Sequence, residues 1–203
     1  MHSWARRSIA IAAFLFFTGA ASSSAAPLLD EERRRLLAHL DMTANWLIDE
    51  VSALSSAQLH FQRAPDTWTI LQVLEHLIVV GPIYWEDLQR ALKSPPRERA
   101  GSSTDADMLW YGIDRTPIVR EKAIPAEQPK GLLRDAQAGL TAYRKAHARL
   151  VEYIQTTKDD LRSHHVDRQG CDAYQWALLI STHEQRHILQ IREIKADAKF
   201  PKR

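Results

Sequence analysis

The sequence contains little of several residue types that mark special classes of protein. It has a single cysteine, Cys171, and only seven glycines and nine prolines in 203 residues. One cysteine cannot close a disulfide within the chain, and so little glycine and proline excludes collagen-like and low-complexity chains. The 27 basic residues nearly balance the 25 acidic ones, so neither a nucleic-acid partner nor an anionic membrane surface is indicated. One globular domain is the expectation.

The first 25 residues have the layout of a secretory signal peptide. Two arginines precede the short apolar run at residues 9–17, and small residues follow it. The run is shorter than the roughly 20 apolar residues that a membrane-spanning helix needs, so a retained anchor is the weaker interpretation. We therefore expect cleavage near residue 25 and a mature domain of residues 26–203. The sequence predicts export to the periplasm or the extracellular space without a stable membrane anchor.

Four stretches of the mature domain carry apolar residues at intervals of three and four, and none shows sustained strict alternation. The predicted helices cover residues 28–54, 69–93, 132–157 and 173–197. Thr69 with Gln72, and Asp172 with Gln175, form capping boxes that mark the starts of the second and fourth helices. The segment 95–131 contains five prolines and is expected to lie over the bundle, held by side chains of residues 108–111. The predicted fold class is all-α, a four-helix bundle with a long Pro-rich crossover between helices 2 and 3.

Two histidines of the fourth helix indicate a metal site. His183 and His187 are four residues apart, which places both imidazoles on one face, in the middle of an apolar stripe. A buried polar ring without a partner costs about 1–3 kcal/mol, and a divalent metal would satisfy both rings. His76, at the edge of the apolar stripe of the second helix, is the best third ligand. Three histidine ligands with open coordination positions are typical of a catalytic zinc site. The alternative is a set of core histidines bonded to polar neighbours.

Other residues have candidate roles near this site. Glu184 is a candidate catalytic base or a carboxylate supporting a ligand, with a helix-surface ion pair as its alternative. His183, Glu184 and His187 match the zinc-protease pattern H-E-x-x-H literally, but no histidine occurs among the 16 residues after His187. That context does not favour a protease. His147, on the inward face of the third helix, is a fourth ligand, a donor of a hydrogen bond to a ligand, or a core histidine bonded to a neighbour.

The remaining predictions concern residues outside the site. Cys171 is interpreted as structural, and Trp176 as a candidate pocket wall or core residue. The other histidines of the mature domain are expected to be solvated: His39, His60, His164 and His165.

Two motifs resemble the signature of the DinB-like superfamily of four-helix-bundle proteins. They are the segment WTILQVLEHL at residues 68–77 and the run from Trp176 through His183 and His187 to residue 191. The resemblance covers essentially the whole mature chain. It implies that His76, His183 and His187 bind a divalent metal, usually zinc or nickel, and that the protein forms a homodimer.

The resemblance implies only a broad function. Similar proteins include thiol-dependent S-transferases and isomerases, in which the metal activates the thiolate of a low-molecular-weight thiol. This chain differs from them by its export signal, and such thiols are mainly cytosolic. Metal-assisted hydrolysis of a small molecule is therefore a second hypothesis. A non-catalytic metal-binding or stress-related bundle is the hypothesis from another class.

Overall fold

A computed structural model describes residues 27–97, 103–116 and 123–202. The predicted signal peptide lies outside these ranges. The helices are α1 (Asp30–Val51), α2 (Ser56–Leu59), α3 (Ile70–Lys93), α4 (Asp105–Ile113), α5 (Ala136–Thr156) and α6 (Ala173–Lys195), with a 3-10 turn at Pro125–Glu127. The strands β1 (His165–Val166) and β2 (Cys171–Asp172) form a small antiparallel hairpin. Among the helices so described, none combines the length and the apolarity needed to cross a bilayer.

The four long helices form the predicted bundle. Around its axis they follow the order α1, α6, α3, α5, and each packs chiefly against the two beside it. The short helix α4 lies on the outside of α6. At the centre, the fully buried Trp176 of α6 donates from its indole Nε1 to the carbonyl of Tyr84 on α3, 2.8 Å away. Trp176 is therefore a core residue that joins two helices.

The predicted caps of α3 and α6 are confirmed. The Thr69 hydroxyl accepts the N–H of Gln72, and the Asp172 carboxylate accepts the N–H of Gln175. The predicted start of the third long helix at residue 132 is wrong, because α5 begins at Ala136 behind an Asp135 cap. The backbone N–H groups of residues 130–132 instead donate to a carboxylate of α3, so they do not enter a helical ladder.

The first helix also differs in its ends. It begins one residue after Leu29, whose N–H donates to Glu32, and it ends at Val51 rather than at residue 54. Asp30 is its first helical residue, and Leu29 occupies the cap position. The fourth long helix ends at Lys195 rather than at residue 197.

The Pro-rich crossover contains a helix that the sequence analysis did not predict. The Thr104 side chain caps α4 by accepting the backbone N–H of Asp107. Met108 is buried as expected, but the side chains of Leu109 and Trp110 are 40% and 63% exposed, so the expectation that they hold the crossover down is wrong. At Gly112 a Cβ would lie 2.9 Å from the Thr182 Cβ of α6. The missing side chain therefore lets α4 approach α6 closely.

Candidate metal centre

Three histidines from two helices meet at one point of the bundle. His183 Nε2 lies 3.3 Å from Nε2 of His76 on α3 and 3.2 Å from Nε2 of His187, one turn further along α6. His76 and His183 are buried, and His187 is half-buried. Within residues 27–97, 103–116 and 123–202, this is the group of three or more His, Cys, Asp or Glu side chains that could hold a metal ion.

Hydrogen bonds on the far side of two rings orient them towards this point. His76 Nδ1 donates to the main-chain carbonyl of Glu127, 2.6 Å away, and His187 Nδ1 donates to the side-chain oxygen of Gln190, 2.8 Å away. Because both acceptors are oxygens, each Nδ1 carries the proton and each Nε2 keeps its lone pair. Such bonds are typical of metal-ligating histidines.

The spacing of the Nε2 atoms fits a tetrahedral ion. Zinc–nitrogen bonds of 2.0–2.1 Å at tetrahedral angles place two ligand nitrogens about 3.3 Å apart, which is close to both Nε2 separations of His183. Without an ion, the lone pairs on His76 and His187 would face His183 with at most one N–H to share between them. The trio therefore fits a cation better than it fits a set of mutually bonded rings.

Burial keeps the trio in the neutral form that binds metals. Removal from water lowers the pKa of each histidine below 6.5, because the low-dielectric interior disfavours the cation. For His183 the neighbouring imidazoles and arginines lower the pKa further, and His187 reaches about 3. The trio therefore has no proton to lose before it binds an ion at neutral pH.

Aromatic rings line the trio. The Trp68 ring lies 4.9 Å from the His76 ring and is stacked at 6.2 Å on that of His187, between centroids. The Tyr84 ring packs edge-on against His183 at 5.3 Å. These rings exclude water from the flanks of the site, while the half-buried His187 lies on its more accessible side.

The sequence of this chain matches the family model of the DinB superfamily over residues 28–191. The chain belongs to the DinB superfamily. YfiT from Bacillus subtilis, described as "a probable metal-dependent hydrolase with an unusual four-helix bundle topology", has a similar structure, with a TM-score of 0.56 and 14% sequence identity over 83% of this chain and 88% of that one. At this identity the likeness shows the fold. No curated protein matches the sequence.

In this DinB-superfamily protein, three residues besides Gln190 support the trio and were missed by the sequence analysis. Glu75, next to His76, accepts the N–H groups of residues 130–132. Glu127 supplies the carbonyl that fixes His76, and its carboxylate accepts from Arg168 in the β1–β2 hairpin. The sequence offered one indication of these residues, the position of Glu75 directly before the candidate ligand His76. The contacts of Glu127 and Arg168 depend on where the crossover and the hairpin turn lie in the fold.

Glu184 does not face the trio. Its carboxylate is buried and accepts hydrogen bonds from the hydroxyls of Thr43 on α1 and Tyr143 on α5, at 2.9 and 3.0 Å. Burial raises its pKa to about 7, although both hydrogen bonds act to lower it. The contacts do not place Glu184 as a base beside the trio, because neighbouring residues of a helix point about 100° apart. The helix-surface ion pair considered for Glu184 is not formed, because its carboxylate accepts from these two hydroxyls inside the bundle.

Other histidines depart from their predicted surroundings. The His147 ring is tilted by 30° against that of Tyr143, with centroids 5.7 Å apart, and it lies outside the trio, so the described structure does not bring it in as a fourth ligand. His39 is half-buried, with Nδ1 2.7 Å from the Ser181 hydroxyl, and His165 is buried in β1. The prediction that both are solvated is wrong, because α1 packs against α6 at Ser181 and β1 packs against α3.

Proposed function

We propose that the protein is a metalloenzyme that binds one divalent ion, zinc or nickel, through His76, His183 and His187 and hydrolyses a small molecule. The observation that carries this proposal is the convergence of three neutral imidazoles. The Nε2 atom of His183 lies 3.3 Å from that of His76 and 3.2 Å from that of His187. The rings of His76 and His187 keep their proton on Nδ1, where each donates to an oxygen, and this leaves Nε2 able to coordinate a metal.

The donor set favours catalysis over a purely structural role. Three nitrogen ligands leave coordination positions open, whereas structural zinc sites use four protein ligands. No carboxylate or thiolate belongs to the described cluster, so neutral ligands leave the ion its full charge. A divalent ion held there supplies a Lewis acid that activates water or polarises a carbonyl group.

The surrounding residues orient the imidazole ligands and exclude water from part of the site. Glu127 and Gln190 hold the imidazoles of His76 and His187, and the rings of Trp68 and Tyr84 keep water from two sides of the trio. A substrate would approach from the side of His187. The description of YfiT as a probable metal-dependent hydrolase is consistent with this reaction class and supports it only by likeness of fold.

Export and dimerisation belong to the same proposal. A mature protein outside the cytoplasm would meet little low-molecular-weight thiol, and for this reason hydrolysis takes precedence over thiol transfer. Amino-terminal sequencing of the exported protein tests cleavage near residue 25. Light scattering of the purified mature protein tests the homodimer.

The activity test uses the mature protein loaded with zinc or nickel and a panel of ester, lactone and amide substrates. We expect hydrolysis that a chelator abolishes and that His183→Ala/His187→Ala lacks. His60→Ala/His164→Ala is the matched control, because it removes two histidines outside the trio, and it should retain activity. Metal-dependent conjugation of a thiol, with no hydrolysis, would contradict the hydrolase and favour S-transfer. Activity retained in the trio variant would contradict the site itself.

A further inference from the structure

A short segment beside the trio, residues 123–132, is fastened to α3 by two consecutive side chains. The Glu75 carboxylate accepts the N–H groups of Lys130, Gly131 and Leu132 at 3.1, 3.0 and 2.8 Å. The next residue, His76, donates from Nδ1 to the carbonyl of Glu127. We call residues 123–132 the anchor segment. One helical turn of α3 thus holds both the anchor segment and a candidate ligand.

A third side chain, from the β1–β2 hairpin, also contacts the anchor segment. Arg168 lies in the turn of the β1–β2 hairpin and donates to the Glu127 carboxylate. Its guanidinium also lies 3.6 Å from the Asp87 carboxylate of α3 and over the ring of Tyr84, 5.4 Å from the centroid. Glu127 therefore accepts hydrogen bonds at two points: its carboxylate accepts from Arg168, and its main-chain carbonyl accepts from His76.

The Glu127 carbonyl selects the state of His76 that a metal needs. While Nδ1–H has this acceptor, the proton stays on Nδ1 and the Nε2 lone pair points at the trio. If the anchor segment separates from α3, the imidazole is free to rotate or to carry its proton on Nε2, which cannot then coordinate an ion. Metal binding and docking of the anchor segment thus favour the same arrangement, and such a linkage is reciprocal.

We infer that Glu75 and Arg168 are positioning residues that set the metal affinity of the trio through the anchor segment, although neither is a ligand. This inference rests on the proposed metal binding. Loss of groups that orient metal ligands typically weakens metal affinity 10–100-fold. We therefore expect Glu75→Gln and Arg168→Met each to raise the zinc dissociation constant by about 10-fold or more.

The experiment measures zinc affinity of the full mature protein by competition with a chromophoric chelator. It also measures amide hydrogen exchange of the anchor segment with and without zinc. Glu50→Gln is the control for the glutamate, because Glu50 pairs with Arg192 and Lys195 away from the anchor segment. Arg97→Met is the control for the arginine, because Arg97 pairs with Asp167 in the same hairpin.

In the wild-type protein, zinc should slow exchange of the amides of residues 130–132. Both positioning variants should exchange these amides faster and show a smaller zinc-induced rise in thermal midpoint, whereas the controls should match the wild type. A purely structural role would lower the midpoint equally with and without zinc.

An unchanged zinc dissociation constant in a variant whose anchor segment exchanges faster would overturn the inference. So would unchanged exchange at residues 130–132 in Glu75→Gln. If Glu75→Gln does not fold, Arg168→Met decides alone, because Arg168 lies outside the bundle helices. A wild-type protein that binds no zinc or nickel would instead contradict the proposed function.

Discussion

Replacement of Glu184 by glutamine should change how the stability of the metal-free protein depends on pH. Burial raises the pKa of this carboxyl from 4.5 to about 7 in the folded state. A group with a raised folded pKa contributes stability that is fully present below about pH 4.5 and is lost as the pH rises through about 7. The difference corresponds to about 3 kcal/mol, because each pKa unit is worth 1.36 kcal/mol.

Glutamine removes this titration and keeps an oxygen that accepts the hydroxyls of Thr43 and Tyr143. Any cost of burying the amide nitrogen is independent of pH, so the informative quantity is the change of the stability difference between pH 4.5 and 8. Relative to the wild type, Glu184→Gln should gain about 3 kcal/mol over this range. Urea unfolding of chelator-treated protein measures it at each pH.

Glu50→Gln is the control for this experiment. Partial burial acts to raise the Glu50 pKa, but Lys195 and Arg192 outweigh it and lower the pKa below 4.5. Its titration therefore lies at and below pH 4.5, and the stability difference between Glu50→Gln and the wild type should stay nearly constant from pH 4.5 to 8. A difference between Glu184→Gln and the wild type that stays within about 0.5 kcal/mol from pH 4.5 to 8 would refute the reasoning, because that carboxyl would then titrate alike in the folded and unfolded states.

Further substitutions test the packing around the site by urea unfolding. Gly112→Ala should destabilise the protein by about 1–3 kcal/mol, because its Cβ would lie 2.9 Å from the Thr182 Cβ. The control Gly81→Ala should stay within about 1 kcal/mol of the wild type. Its Cβ would lie 3.7 Å from the Ala146 Cβ, an ordinary contact distance, and the gain in helix propensity offsets crowding by Pro82. Arg162→Met should cost about 2–3 kcal/mol, because it removes the ion-pair partner of Asp172, which is 1% exposed. A Gly112→Ala protein as stable as Gly81→Ala, or an Arg162→Met protein as stable as the wild type, would contradict these packing arguments.

The bundle and the histidine pair of α6 could be predicted because both follow from short-range spacing, whereas His76 is indicated by its place on the apolar stripe of another helix and by the family resemblance. The four-residue interval between His183 and His187 places them on one face whatever surrounds the helix. The caps at Thr69 and Asp172 are likewise local patterns. The pattern of Thr104 and Asp107 is of the same kind, and it could have indicated α4.

The direction of Glu184 could not be predicted because α6 is buried on most of its circumference. This helix packs against α1, α3 and α4, so its apolar stripe is too wide to have one centre. A helical wheel therefore places Glu184 near His183. In the structure Glu184 faces α1 and α5, whereas His183 faces α3. The burial of His39 against Ser181 has the same origin.

The supporting residues could not be predicted because they depend on contacts between distant parts of the chain. Glu75 meets residues 130–132 more than 50 positions away, and Arg168 meets Glu127 across 41. Local patterns carry no information about where the crossover and the hairpin lie. Gln190 is the exception, because it lies three residues from His187 on the same helix. The ligands of the candidate site are thus visible in the sequence, whereas the orienting contacts of Glu75, Glu127 and Arg168 are visible only in the fold.

The central claim is that the trio binds a metal ion, and metal content per chain tests it most directly. The measurement is mass spectrometry of the mature protein, purified without a histidine tag and incubated with zinc or nickel, beside His183→Ala/His187→Ala and the His60→Ala/His164→Ala control. The account predicts about one ion per chain in the wild type and the control, and none in the trio variant. Stoichiometric metal in the trio variant, or no metal in the wild type, would contradict it.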